Sequence, residues 1–321
     1  MAVALILLLG IGTVLLQEQS SDIQKPPVNT QNQPAAANVP AVDLSFGVLG
    51  DIHGNTDSLQ IAIRDFYTIN PGMNALIFNG DTVDQGLTKQ YDAIKKTLDK
   101  NKAFLPPVII KNIGNHEFFD YEVKVNSPED VTTFMNRYLE FAKEEKVYHD
   151  TWLNGYYFIS LGSEDGNSET LDSIRAYISK NQQNWLKEKL AEKYEKGKPI
   201  FVFLHQHLNS DSSRGWIGSD QAKEVRDILS QYPEVILFTS HTHAPLDAAS
   251  VSSEQVFTAV HTGAVHYTIV PDGKGGRTRE PLVRGLYVEV KNHQVVIRGR
   301  DLKGQSWIFT KEILKDNPQK K

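Results

Sequence analysis

The sequence predicts an α/β fold, because short apolar runs of strand length alternate with amphipathic helical stretches from Leu44 to Phe238. A second observation is composition: 40% hydrophobic and 23% charged residues over 321 positions describe a globular chain, one large domain or two small ones. The third lies beyond residue 255. There helical spacing stops and strands follow closely, so the last third is expected to be antiparallel.

The elements follow in order. "LSFGVLG" (44–50) reads as a strand, and Leu59, Ile61, Ile63 and Phe66 space a helix over Asp57 to Tyr67. "ALIF" (75–78) is a strand, 88–100 a helix and "PVIIKNI" (107–113) a strand, with a further helix from Val131 to Glu144. "GYYFISLG" (155–162), "PIFVFLH" (199–205) and "EVILFTS" (234–240) are strands separated by helices over Lys180 to Tyr194 and Asp220 to Gln231. "QVFTAVHTG", "GLYVEVKN", "QVVIRGR" and "SWIFTKEI" complete the strand-rich end. No internal repeat is visible.

Composition removes several functions. No cysteine is present, so disulfides, thiolate metal sites and cysteine nucleophiles are excluded, leaving His, Asp, Glu and Asn as metal donors. A net charge of −5 argues against general nucleic-acid binding. Residues 2–16, "AVALILLLGIGTVLL", are apolar and uncharged, and as a helix would span roughly 22 Å against a hydrocarbon core of about 30 Å. No Lys or Arg precedes the run and no small-x-small cleavage site follows it directly. Three readings stand: a cleaved signal peptide, an uncleaved membrane anchor, or a buried core helix. Residues 17–42, rich in Gln, Asn, Pro and Ala, read as a disordered polar linker, and 314–321 as a disordered tail. A single catalytic domain at 43–313, secreted or anchored at the outer face of the cytoplasmic membrane, is the expected organisation.

Polar residues cluster where strands end. In open α/β sheets, ligands bind beyond the carboxyl ends of the strands. Asp51-Ile52-His53 follows the first strand, Asn79-Gly80-Asp81 the second with Asp84 just beyond, and Gly114-Asn115-His116-Glu117 the third. His205-Gln206-His207 and Ser240-His241-Thr242-His243 end two later strands. Half of the ten histidines (53, 116, 205, 241 and 243) fall in these positions. In extended backbone His241 and His243 point the same way. Each motif alone is weak.

Jointly and in this order, "DIH" (51–53), "GDTVD" (80–84), "GNHE" (114–117), His205 and "SHTH" (240–243) resemble the calcineurin-like metallophosphoesterase superfamily. Its signature is Asp-x-His, Gly-Asp-x-x-Asp, Gly-Asn-His-(Asp/Glu), a lone His and Gly-His-x-His, and the resemblance covers about 44 to 310. It implies a four-layer α/β/β/α sandwich with mixed sheets. It also implies two metal ions, Mn, Fe, Zn or Co, about 3.5–4 Å apart and bridged by a carboxylate. Asp81 takes the bridging position by this match. Asp51, His53 and His243 complete the first metal; Asn115, His205 and His241 complete the second. The implied reaction is hydrolysis of phosphate monoesters or diesters of a small substrate, by a hydroxide held between the metals. The alternative is a catalytically weak extracellular metal-binding or scaffold protein on the same fold.

By the same match His116 faces the leaving group, and Asp84 either orients it or simply caps a helix. Ser240 departs from the usual Gly, and Gln85 stands where the protein-phosphatase branch has a phosphate-gripping Arg. Position 84 is Asp, not the ligand Tyr of purple acid phosphatases. His207 is expected at the rim. His261 and His266 are read as pocket lining or plain strand residues, and His149 and His293 as surface residues. The loops 208–220, with Arg214 and Trp216, and 271–280, with Lys274, Arg277 and Arg279, are candidates for holding a phosphate or a base.

Overall fold

The computed structural model describes residues 42–192, 194–209 and 218–313. The apolar segment 2–16, the linker to residue 41, Arg214 and Trp216, and the tail 314–321 lie outside the described residues. Among the described residues no helix is long and apolar enough to cross a membrane.

The chain runs β1 (Leu44–Leu49), α1 (Thr56–Ile69), β2 (Ala75–Asn79), α2 (Thr88–Lys100), β3 (Val108–Asn112) and α3 (Pro128–Ala142). It continues through β4 (His149–Leu153), β5 (Tyr156–Ser160), α4 (Lys180–Glu192), β6 (Ile200–Phe203), α5 (Ala222–Leu229) and β7 (Val235–Thr239). The remaining elements are β8 (Val251–Ser252), β9 (Thr258–His261), β10 (Thr268–Pro271), β11 (Arg277–Glu280), β12 (Arg284–Lys291), β13 (Gln294–Asp301) and β14 (Ser306–Ile313).

Two six-stranded mixed sheets form, in the orders β14-β13-β12-β1-β2-β3 and β4-β5-β6-β7-β9-β8. The first is parallel across β1, β2 and β3, and antiparallel from β1 out to β14. The second is parallel from β5 to β9. Side-chain alternation explains the layers. Phe46, Val48 and Ile77 of one sheet meet Phe158, Phe201, Phe203 and Phe238 of the other in a single buried cluster. Leu76 and Phe78 face Leu59, Ile63 and Phe66 of α1 on one outer side. Ile159, Val202 and Leu237 face Leu186, Leu190, Val225 and Leu229 of α4 and α5 on the other. The expected four-layer α/β/β/α sandwich is the result.

Local signals set several boundaries. Ser127 accepts from Asp130 N while the Asp130 carboxylate accepts from Ser127 N, and Pro128 opens the helix, so α3 starts three residues before the apolar spacing suggests. α1 is capped by Asn55, whose side chain accepts from Ser58 N at 3.0 Å.

Three sequence readings are corrected. The antiparallel expectation holds for β12, β13 and β14, but β9 joins β7 in parallel. His149 is not a surface residue: it opens β4, a strand the alternation does not reveal, and its side chain is only 11% exposed. Its ring packs by Lys111 O and Glu144, and burial lowers its pKa. His293 is half-buried, not plainly exposed.

Candidate metal centre

Five strand ends converge: β1, β2 and β3 from one sheet, β6 and β7 from the other. They deliver Asp51, His53, Asp81, Asn115, His205, His241 and His243, all buried. Asp51, His53 and His243 form one group whose donor atoms all lie within 4.8 Å of one another, and Asp81, His205 and His241 form another. A third joins Asp81 to His53 and His116, so Asp81 is common to two groups. Asn115 Oδ1 lies 2.9 Å from His241 Nδ1, beside the second group. The residues expected to converge do so.

Each ring is turned by a partner on its other nitrogen, as outer-shell groups do for metal-binding histidines. His205 Nδ1 donates to Asn79 O at 2.8 Å, which aims Nε2 at Asp81 Oδ2, 3.1 Å away. His243 Nδ1 donates to Tyr267 O at 2.8 Å, which aims Nε2 at Asp51 Oδ1, 3.4 Å away. His53 Nδ1 donates to Asp84 Oδ1 at 3.3 Å, and its Nε2 meets His243 Nε2 at 3.1 Å. Two imidazole nitrogens this close need a shared cation, either a proton or a metal. Asp51 Oδ1 is buried without a hydrogen-bond partner among the described residues. Buried polar atoms are rarely left so, and with only N and O donors converging the set fits a borderline divalent ion.

Electrostatics agree. Burial and then the neighbouring Asp81 raise Asp51 to about 6, while the His205 and His53 charges oppose the rise. Burial alone would raise Asp81, yet the nearby His205 and His116 hold it well below the carboxylate range. His205 is opposed by burial but raised to about 9 by Asp81. Burial lowers His243 to about 4 and keeps His241 neutral, so both offer lone pairs at pH 7. The result is an imbalance that a cation would relieve.

Backbone conformation marks the same residues. Asp51, His53, Asp81, His241 and His243 all have positive φ, between 48° and 73°. Such residues cluster at functional sites, where the strain persists because the surroundings fix it. This corrects the same-side argument for His241 and His243. Their rings do reach one cavity, but through left-handed turns after β7 ends, not through extended backbone.

Glu117 is the bracket that sequence reasoning passed over. Its buried carboxylate accepts from Gly114 N (2.6 Å), Asp81 N (3.0 Å), Thr82 N (2.8 Å) and Val83 N (3.4 Å), joining the β2 and β3 loops. Burial, then the Asp81 charge, raises it to about 7. Its place in "GNHE" was the available signal. Ser240 is explained too: its hydroxyl accepts from Asn79 Nδ2 at 2.9 Å and pairs with Thr262 Oγ1 at 2.6 Å. Room for that hydroxyl comes from Gly50, where a Cβ would collide with it. At Gly80, with φ +84°, a Cβ would sit 2.5 Å from the His205 ring.

His116 borders the centre. Its Nδ1 donates to Asp84 O at 2.9 Å, and Asp84 Oδ1 lies 3.5 Å away. Burial opposes its charge, but Asp81 and the Asp84 bonds raise it to about 9. Asp84 caps nothing, since Leu87 is the N-cap of α2. It instead accepts from Tyr121 Oη at 2.9 Å, and bonds from His116 and then His53 hold it well below the carboxylate range.

A cavity of about 260 Å³ opens over these groups, walled by Phe119, Tyr121, His266, Tyr267 and Arg279. His266 therefore lines the pocket, where its Nδ1 accepts from Asn55 Nδ2 at 3.1 Å. A larger cavity, about 690 Å³, lies on the other side of the same segment, lined by Thr242 and Ala244 with His207, His261 and Arg277. None of the three carboxylate–histidine groups found among the described residues lines it, so its size does not make it the reacting site. Lys274 is at the hairpin turn, in neither cavity.

A mixed sandwich with buried His, Asp and Asn gathered at its strand ends has the donor set of a dinuclear metal site. The chain belongs to the calcineurin-like phosphoesterase family, whose profile matches residues 44–245. Among solved structures it is similar to a dimetal phosphatase from Danio rerio, at 13% identity and TM-score 0.58, covering 86% of this chain and 100% of that one. It is also similar to a purple acid phosphatase from yellow lupin (Lupinus luteus), at 12% and 0.58, covering 85% and 55% of the two chains. An anchor in the inner membrane complex of Plasmodium shares 14% identity at TM-score 0.55, covering 84% of this chain and 88% of that one. At these identities the likeness is one of fold. Comparison with curated protein sequences finds no match.

Proposed function

We propose that the chain hydrolyses small phosphate esters at a two-metal centre held by Asp51, His53, Asp81, Asn115, His205, His241 and His243, with Asp81 shared. The observation that carries this reading is the convergence of buried donors, above all the facing His53 and His243 nitrogens and the unpartnered Asp51 Oδ1. Two cations bound there would neutralise charge on the phosphoryl oxygens and lower the pKa of water. Mn, Fe, Zn and Co all suit the donor set.

The chain's own residues do the rest. In the net reaction the bond from phosphorus to the alcohol oxygen breaks, a bond to the water oxygen forms, and a proton ends on the alcohol. His116 is suited to deliver that proton. Its Nδ1 is tied to Asp84, its other ring nitrogen remains for the substrate, and its raised pKa keeps it protonated at neutral pH. Asp84 fixes both His53 and His116, coupling the centre to the proton donor.

The scaffold reading rests on the Plasmodium anchor sharing the fold. The complete donor set argues against it, since a member without turnover has no need of every ligand. The deciding assay is hydrolysis of p-nitrophenyl phosphate and bis-p-nitrophenyl phosphate with Mn²⁺, beside EDTA-treated protein. Turnover of neither ester in metal-loaded protein would favour the scaffold.

The reading extends to location: residues 2–16 direct the domain outside the cytoplasm, as signal or anchor, with 17–42 as tether. Removing residues 1–42 should leave melting temperature and specific activity unchanged. A drop of many degrees would mean that 2–16 pack as a core helix.

A further inference from the structure

The hairpin of β10 and β11 brings one basic residue to the metal cavity. Arg279 is the sole Lys or Arg among the described residues lining the 260 Å³ pocket. Its position is fixed by a chain of contacts that starts at the centre itself. His243 Nδ1 donates to Tyr267 O, and Ile269 N donates to His243 O at 2.8 Å, so the base of the hairpin is tied to His243 on both sides. Register then places Arg279 opposite Ile269. The Tyr267 ring stacks on His243 at 4.0 Å with an interplanar angle of 14°, and the Arg279 guanidinium lies 4.5 Å from the Tyr267 centroid. That cation–π contact holds the guanidinium while leaving its N–H fork unspent.

What such a group recognises follows from phosphate chemistry. A diester presents two terminal oxygens and one negative charge. A monoester presents three terminal oxygens and, near neutral pH, close to two charges. A guanidinium set beside the His/Asp/Asn cluster supplies a planar, charged partner for the additional oxygen. The pocket is also small, with room for a phosphoryl group and a modest alcohol.

We propose that Arg279, positioned by Tyr267 over His243, is a specificity-determining residue that binds a terminal phosphoryl oxygen and makes the site prefer phosphate monoesters to diesters. This rests on the phosphoesterase reading above.

The test compares wild type, Arg279→Ala and Arg279→Lys for kcat/KM on p-nitrophenyl phosphate and bis-p-nitrophenyl phosphate, with metal content and inorganic phosphate binding measured by titration. Arg279 is exposed on a hairpin, so the variants should fold and keep the wild-type metal content. The expected result for Arg279→Ala is a loss of about 10–100-fold on the monoester, less than threefold on the diester, and phosphate binding at least tenfold weaker. Arg279→Lys should recover only part of the monoester rate, since it restores the charge without the fork. Equal losses on the two esters, or unchanged phosphate binding, would overturn the proposal. A wild type that cleaved neither ester would sink the phosphoesterase reading instead. Phosphate titration would then decide Arg279 alone: tenfold weaker binding in Arg279→Ala upholds its anion role, and equal affinity refutes it.

Discussion

The slab between the sheets and the floor of the metal cavity are built by the same strands, yet they obey opposite rules. β1 gives Phe46 and Val48 to the slab, then Asp51 to the donor cluster beneath the cavity. β6 gives Phe201 and Phe203, then His205, while β7 gives Ile236 and Phe238, then His241 and His243. In the slab, rings meet edge to face, as Phe46 and Phe201 do at 4.9 Å and 70°, or stack, as Phe203 and Phe238 do at 5.0 Å and 12°. The backbone there is regular and paired. A few residues further on, five non-glycine residues turn left-handed, and the buried Asp51 Oδ1 has no hydrogen-bond partner among the described residues. Each such turn costs about 1–3 kcal/mol. The difference teaches that along β1, β2 and β7 the left-handed turns begin only past the apolar runs, where donors must converge, and that regular apolar packing beneath holds them in place.

The comparison breaks most completely at Asp81. Asp81→Asn removes the charge shared by two donor groups, so it should abolish most metal binding and nearly all turnover while leaving the slab folded. Metal analysis and a rate assay check this, and two bound metals with wild-type rates would show that Asp81 does not bridge.

Next in size is His116, which borders the floor without belonging to it. His116→Ala should keep metal content and lower kcat by about 10²–10⁴ on alkyl esters. p-Nitrophenyl esters, whose leaving group needs no proton, should lose less. The sign of the pH effect follows from the raised pKa of about 9: the proton is present at neutral pH and lost as pH rises through that value. A cation beside Asp81 would lower it, so the descending limb of kcat should fall at or below pH 9 and vanish in the variant. Equal losses on both ester types would leave His116 only an orienting role.

A cut in the slab sharpens the contrast from the other side. Phe238→Ala removes a fully buried ring and should cost about 3–5 kcal/mol of stability. Below its melting temperature the variant should still bind metal with wild-type stoichiometry. Loss of metal at temperatures where the fold is intact would mean the floor depends on slab packing residue by residue.

The smallest expected effect is at Glu117, whose carboxylate links the two regions. Glu117→Gln turns an N–H₂ toward backbone N–H groups that now donate to oxygen. Metal affinity should fall about 10–100-fold, the usual loss when an outer-shell partner changes, and calorimetric titration would measure it. An unchanged affinity would show that the β2 and β3 loops hold their form without the bracket.

Much of the site was legible because it is written locally. Apolar runs fix β1, β2, β3, β6 and β7, and the donors follow each run within a few residues, so their order and type carried the family resemblance, which implied a two-metal centre. Helix starts were less legible where capping extends beyond the apolar spacing, as Ser127 and Pro128 do for α3. β4 escaped because its residues show no clean alternation of burial.

Sequence by itself determined which donors exist, their attachment to strand ends, and the absence of thiolate chemistry. Tertiary structure alone decided which of them meet. The facing nitrogens of His53 and His243 are 190 residues apart, and only the order of strands in two packed sheets brings them to 3.1 Å. The same holds for the Glu117 bracket, for Ser240 filling the space Gly50 leaves, and for Arg279, which reaches the cavity through hairpin register and a tyrosine stack. The physical reason is that side-chain chemistry and strand propensity are local properties. Convergence, ring orientation and left-handed strain arise from long-range packing, which no short stretch of chain contains.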